Sequence, residues 1–250
     1  MFKRLFAASA VALVTAAPVA AVDVTAMTDS ERQAFRDEIR AYLLDNPEVL
    51  MEAIQVLETR QADEQAANDV TLLQVNAEQI YNDPTWWVGG NPDGDITIVE
   101  FLDYRCGYCK RAHPEVAELI NSDGNIRLIV KEYPILGEQS VLASRFALGV
   151  RVVEGDEAYK DINDTLMVMR AEISQESLSS LSESKGYNTK AVFDAMNGPE
   201  VQQTIVANRE LAQRLSISGT PSFVFQDEMV RGYVPLEGMR EIIKDIRADG

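Results

Sequence analysis

Both cysteines of this 250-residue chain fall in one tetrapeptide, Cys106-Gly107-Tyr108-Cys109, directly after the apolar run from Ile96 to Leu102. A C-x-x-C where a strand hands over to a helix is a redox-site signature. If the chain is helical from Cys106 onward, the two sulfurs lie on one face, near enough to bridge when one cysteine occupies the helix start. The pair then opens and closes with little backbone movement. At the helix N-terminus Cys106 also meets the positive end of the dipole and unpaired backbone N–H groups, both of which favour thiolate over thiol. Two other readings compete. A structural disulfide would close so tight a loop that it restrains little chain entropy. A metal site would take His113, one turn beyond Cys109 and the single histidine, as a third ligand, and would still need a carboxylate or a second chain. The expected resident metal is therefore none and no cofactor is implied, although soft thiolates suit transient Cu(I). An exposed His113 on the helix is the default.

Two further patterns stand beside the cysteines. Glu100, six residues before Cys106, shares a strand face with Ile98 and Leu102 by even spacing. An acid on an apolar face is unusual unless paired or functional, and a desolvated carboxyl could move a proton to or from Cys109. An ordinary strand-end glutamate in water is the alternative. Lys131, at the end of the neighbouring strand, is read as a solvated lysine in preference to a counter-charge for Glu100.

The elements that must hold these residues follow from periodicity and punctuation. Residues 1–21, with Lys3 and Arg4 ahead of an apolar stretch and Val19-Ala20-Ala21 at its end, read as a secretory signal peptide, too short to span a bilayer. This implies an oxidising compartment, the periplasm. The formal net charge of −17, more negative still without the signal, makes nucleic acid and anionic membranes poor partners. Thr28 and Glu31 form a capping box for a helix over about 29–45, along which Phe35, Ile39 and Tyr42 recur at helical spacing. Asn46-Pro47 starts a second, long helix with Leu50, Ile54 and Leu57 on its stripe and a polar middle from Glu58 to Asn68. These apolar faces need a partner, either the rest of the chain or another subunit. Turn signals from Asn82 to Gly94 put a boundary near residue 80. Beyond it, strands at 96–102 and about 126–130 flank the Cys106 helix as a βαβ unit, with Pro114 expected to bend that helix. The chain thus divides into a signal peptide (1–21), a helical oligomerisation or stalk segment (22–80), the first part of a redox domain (81–136), a helical insertion (137–216) and the rest of that domain (217–250), which opens on a hairpin and ends in a helix.

The run ITIVEFLDYRCGYCK resembles the active-site strand and helix of the thioredoxin superfamily, and the helical block set inside it resembles the DsbA-like branch. The likeness covers about residues 85–247 and rests on Cys106, Cys109, Glu100, Pro114 and the Gly219-Thr220-Pro221 turn. The N-terminal helices are similar to those of the suppressor-of-copper-sensitivity C and Com1-like proteins. The resemblance implies an α/β thioredoxin fold with a helical insertion, preceded by an N-terminal helical oligomerisation segment. It implies Cys106 as the exposed nucleophile, Cys109 as the buried resolving cysteine and Glu100 as a buried carboxylate beneath them. It also implies a cis bond at Thr220-Pro221, where a trans-proline turn is the competing reading. Thr220 and Pro221, with Gly107 and Tyr108, would then receive an extended client strand. Gly107-Tyr108 and the threonine before Pro221 look more like disulfide isomerases than like the strong oxidant DsbA. The implied function is a periplasmic thiol-disulfide oxidoreductase, an isomerase or reductase, with unfolded or misoxidised protein clients, a membrane-bound thiol redox partner and no nucleic acid. It would be a homo-oligomer, dimer or trimer, built through Phe35, Ile39, Tyr42, Leu50, Ile54 and Leu57. The alternatives are a DsbA-type oxidant and a copper-binding or copper-protection module that uses the same thiolates.

Overall fold

A computed structural model describes residues 25–83 and 86–249, and the expected signal peptide, 1–21, lies outside them. Internal contacts divide the chain into two units, residues 1–60 and 61–250. In the first, α1 (Asp29–Asp45) starts where Thr28 and Glu31 bond reciprocally: Thr28 N–H donates to the Glu31 carboxylate at 2.8 Å, and Glu31 N–H donates to Thr28 Oγ1 at 3.4 Å. α2 (Glu48–Val75) begins after Pro47 and runs on into the second unit. No residue of α1 is buried, and Phe35, Ile39, Tyr42, Leu50, Ile54 and Leu57 are 43–55% exposed. No helix among the described residues is long and apolar enough to cross a membrane.

In the second unit the far end of α2 buries Asp69 and Leu73. After a break at Asn76, α3 (Ala77–Tyr81) buries Ile80, and β1 (Trp87–Gly90) comes next. β2 (Ile96–Leu102), α4 (Gly107–Asp123) and β3 (Ile126–Glu132) make the βαβ unit, the two strands running parallel with Glu100 opposite Val130 and Leu102 opposite Glu132. Pro114 lies inside α4, which continues to Asp123. The insertion comprises α5 (Glu138–Glu154), α6 (Asp156–Val168), α7 (Gln175–Ser184), α8 (Thr189–Ala195) and α9 (Pro199–Arg214). A hairpin of β4 (Ser222–Phe225) and β5 (Glu228–Arg231) precedes α10 (Leu236–Asp249). The sheet order is β1-β3-β2-β4-β5, with β2–β3 as the parallel pair.

Strand alternation sorts the side chains of the sheet into two cores. Ile98, Leu102, Leu128 and Val130 pack with Cys109, Ala112 and Val116 of α4 and with the insertion helices. Val99, Phe101, Ile129 and Val224 pack on the other side with Leu73, Ile80, Leu211 and Leu215. The second unit therefore reaches back into α2, further than the turn signals near residue 80. Arg231 fastens the same stretch to β5 through a bidentate pair with the 7%-exposed Asp69, at 2.6 and 2.7 Å. β1 lies inside a run that reads as turns because of its glycines. The Trp87 ring covers Gly89, where a Cβ would collide with it, and Gly90 has φ +68°. Packing and backbone thus demand the residues that mimic a turn.

Candidate active site

β2 ends at Leu102, and Asp103 immediately after it anchors the turn into α4. Its carboxylate accepts from the backbone N–H groups of Arg105 and Ile135, both at 2.8 Å, and Leu136 at 3.0 Å, tying that turn to the loop after β3. Cys106 is thereby set at the N-cap of α4 in extended backbone, φ −72° and ψ 117°. Its thiol donates to the Thr220 carbonyl at 3.1 Å, and the Thr220-Pro221 bond is cis. Expected to be exposed, Cys106 is only 7% exposed, because the Thr220 loop lies against its sulfur, while Cys109 is fully buried. Gly107 and Tyr108 face outward, and Tyr108 stacks on Tyr233 with ring centroids 6.0 Å apart. The structure thus brings Cys106, Gly107, Tyr108, Cys109, Glu100, Thr220 and Pro221 into one neighbourhood, as their elements require.

Glu100 is 2% exposed, which leaves no room for a solvated strand-end glutamate, and its Oε1 has no hydrogen-bond partner among the described residues. Burial, and after it the charge of Glu132, push its pKa up to about 8. Burial first and then the Glu100 charge also push the Cys109 thiol up. A carboxyl raised to about 8 beside a thiol whose ionisation burial opposes has the basicity to accept that thiol's proton.

Glu132 is the residue that sequence reasoning missed. β3 runs two residues past Val130, so Glu132 falls on the same strand face as Glu100. It is 1% exposed, and the hydroxyls of Tyr104, Ser144 and Tyr159 donate to its carboxylate at 2.6, 2.7 and 2.7 Å. Asn163 donates in turn to the Tyr104 hydroxyl at 3.0 Å. Burial outweighs these donors and pushes Glu132 up to about 7. The available signal is its even spacing from Leu128 and Val130.

Two neighbours differ from expectation. Lys131 is neither solvated nor turned toward Glu100. It stands opposite Phe101, so alternation sends it to the other face, where it is fully buried, donates to the Gln79 carbonyl at 2.9 Å and lies over the Trp86 ring. Burial pulls its pKa down to about 5. His113 is not an open helix residue, since its side chain is 17% exposed and Nε2 contacts Asp164 at 2.9 Å. Among the described residues no group of three or more His, Cys, Asp or Glu side chains could hold a metal ion.

Residues 82–245 match the family model described as Thioredoxin. The chain belongs to the thioredoxin family. Residues 31–64 match a second model, the copper resistance protein ScsC N-terminal domain. Among solved structures this thioredoxin-family chain is 38% identical to a thioredoxin-like oxidoreductase from Silicibacter pomeroyi DSS-3, over 68% of this chain and 97% of that one, with a TM-score of 0.64. ScsC of Proteus mirabilis in a compact conformation is 30% identical over 87% of this chain and 98% of its own, with a TM-score of 0.65. The thiol-disulfide exchange protein alpha-DsbA2 from Wolbachia pipientis is 28% identical over 73% and 98%, with a TM-score of 0.68. The chain spans 23% of the length of a curated relative, the Na(+)/H(+) antiporter NhaA 1 of Salinispora arenicola, at 24% identity over 153 residues. The family is thus that of thioredoxin-fold thiol-disulfide oxidoreductases of the ScsC and DsbA-like kind, with a helical insertion and an ScsC-type N-terminal segment.

Proposed function

We propose that this thioredoxin-family protein exchanges disulfides with unfolded or misoxidised protein clients in the periplasm, as an isomerase or reductase. The observation that carries the exchange chemistry is the Cys106 thiol at the start of α4, 3.1 Å from the Thr220 carbonyl, with Cys109 buried behind it under the influence of Glu100. The Cys106 thiolate attacks one sulfur of a client disulfide, that S–S bond breaks, the other client sulfur leaves as thiolate and a mixed disulfide forms. Glu100 then accepts the Cys109 proton, and the Cys109 thiolate attacks Cys106 Sγ and releases the second client sulfur. The client has gained the two electrons that the dithiol lost. In isomerisation a second client thiolate displaces Cys106 instead, and no net electrons move. When Cys106 Sγ is engaged with a client, the Thr220 carbonyl is free to pair with an extended client strand beside Pro221, Gly107 and Tyr108, so recognition rests on backbone.

Cys109→Ser is expected to leave clients trapped on Cys106, and Cys106→Ser to abolish exchange, both read on non-reducing gels after thiol alkylation. A Cys106→Ser chain that still exchanges overturns the assignment. The direction is supported by the exposed apolar residues of α1 and α2, which a dimer or trimer would cover, and by the ScsC-type segment at 31–64. A membrane-bound thiol partner would keep the pair reduced, so alkylation of the native periplasm should find Cys106 and Cys109 as thiols, whereas an oxidant would be found bridged. The name of that same segment's family favours a second reading, in which the two thiolates hold Cu(I). Stoichiometric Cu(I) retention without any mixed disulfide would select it.

A further inference from the structure

The chain carries a formal net charge of −17, yet the surface beside its nucleophile is of the opposite sign. A depression of about 1060 Å³ lies among the loop after β3, α5, α8 and α9, and reaches Ile217 ahead of the Thr220 loop. A second, of about 840 Å³, lies between Arg105 and Lys110, which flank Cys106, and the segment after α6. The two share Gln139 and Ile173 and so adjoin as one trough, which begins at Arg105, the residue before Cys106. Its lining carries Arg105, Lys110, Arg145, Arg170 and Arg209 against two carboxylates, Glu138 and Glu172. Lys110 and Arg209 are occupied with backbone carbonyls, of Met169 at 2.7 Å and Pro134 at 2.8 Å. Arg105, Arg145 and Arg170 make no ion pair among the described residues. The larger depression adds apolar side chains among Gln139, Gln175, Asn197 and Gln213, with Leu142 and Phe193 half-buried and Ile135 36% exposed, and the smaller adds Val168, 72% exposed.

We propose that this trough binds the client segment flanking the cysteine under attack and selects extended stretches in which apolar residues alternate with Asp or Glu. The selection rests on the exchange reading and adds to it a preference that backbone pairing at Thr220 cannot supply. An extended strand throws alternate side chains to opposite sides, so one row can enter the apolar floor while carboxylates on the other meet guanidinium groups. Unpaired arginines suit that role, because their planar forks take carboxylates in bidentate fashion. Net charge alone predicts the reverse preference, since an acidic protein draws cationic peptides to itself. The two effects are therefore separable.

The test uses the chain from residue 22 and synthetic peptides whose single cysteine is capped as a mixed disulfide with 2-mercaptoethanol. One peptide alternates apolar residues with Glu and the other with Lys, and kcat/KM for reduction is measured for each. The Glu peptide is expected to react about tenfold faster. That ratio should collapse in Arg145→Glu/Arg170→Glu and persist in Lys190→Glu/Lys244→Glu, which makes the same change in net charge at exposed positions outside the trough. Equal rates, a faster Lys peptide, or a ratio lost equally in both double variants overturns the proposal. If the peptides react alike but the Arg145/Arg170 variant changes oligomeric state, the trough belongs to a second copy of the chain. Failure of Cys106 to react with uncharged bis(2-hydroxyethyl) disulfide would instead bring down the exchange reading itself.

Discussion

At the scale of single residues, the two buried acids of the sheet set the terms for Cys109. Burial pushes both up, Glu132 to about 7 against its three hydroxyl donors and Glu100 to about 8 with the Glu132 charge adding to burial. Both lie above the ordinary 4.5, so between roughly pH 4.5 and 8 these two carboxyls hold more protons in the folded chain than in the unfolded one. Their contribution to stability is therefore fully present below that window and is lost as the pH rises through it, opposite in sign to that of buried Lys131. Glu100→Gln removes one of these charges without changing shape. It should leave the melting temperature at pH 4 nearly unchanged and raise it at pH 9 by about 5 °C or more. Equal shifts at both pH values would contradict the buried-charge account. The same variant should slow the attack of Cys109 on the Cys106 mixed disulfide by about a hundredfold at pH 7, while the first attack by Cys106 keeps its rate. Stopped-flow quenching of the mixed disulfide separates the two steps, and an unchanged release rate would remove Glu100 from the proton path.

At the scale of elements, α2 is one helix with two environments. Leu73 is 3% exposed and belongs to the second core, whereas Leu57 is 55% exposed. Leu73→Ala is expected to cost the redox unit about 2–5 kcal/mol in denaturant melts, because the cavity lies between α9 and the sheet. Leu57→Ala should leave that transition where it is, and a loss as large as that of Leu73→Ala would mean that the division at residue 60 is misplaced. Local pattern made α1 readable from Thr28 and Glu31, and β2 from the run Ile96 to Leu102. It also placed Glu100 on an apolar face. It could not show Lys131 correctly, because which face that residue joins depends on pairing with Phe101 across two strands. Nor could it assemble the Glu132 cluster, whose donors Tyr104, Ser144 and Tyr159 come from three separate stretches. β1 stayed hidden for a local reason, since Gly89 and Gly90 serve the Trp87 ring and a positive φ while looking like a turn.

At the scale of the whole molecule, the second unit contains Cys106, Cys109, both buried acids and the cis-proline loop. None of these lies in residues 25–60. Those residues carry Phe35, Ile39, Tyr42, Leu50, Ile54 and Leu57, about half exposed, and each such side chain left fully in water forfeits about 1.5–3 kcal/mol. Self-association through these helices would recover that energy and gather several Cys106 sites around one client. A client held by one site could then be attacked at its wrong disulfide by another, which favours reshuffling over simple oxidation. The chain from residue 22 is therefore expected to scatter light as a dimer or trimer and to restore a protein with scrambled disulfides. The chain from Gln61, a start that keeps Asp69 on Arg231 and Leu73 in its core, should be a monomer that still reduces a small disulfide but restores the scrambled protein poorly. A monomeric longer chain, or a shorter one that remains oligomeric and isomerises as well, would sink the idea.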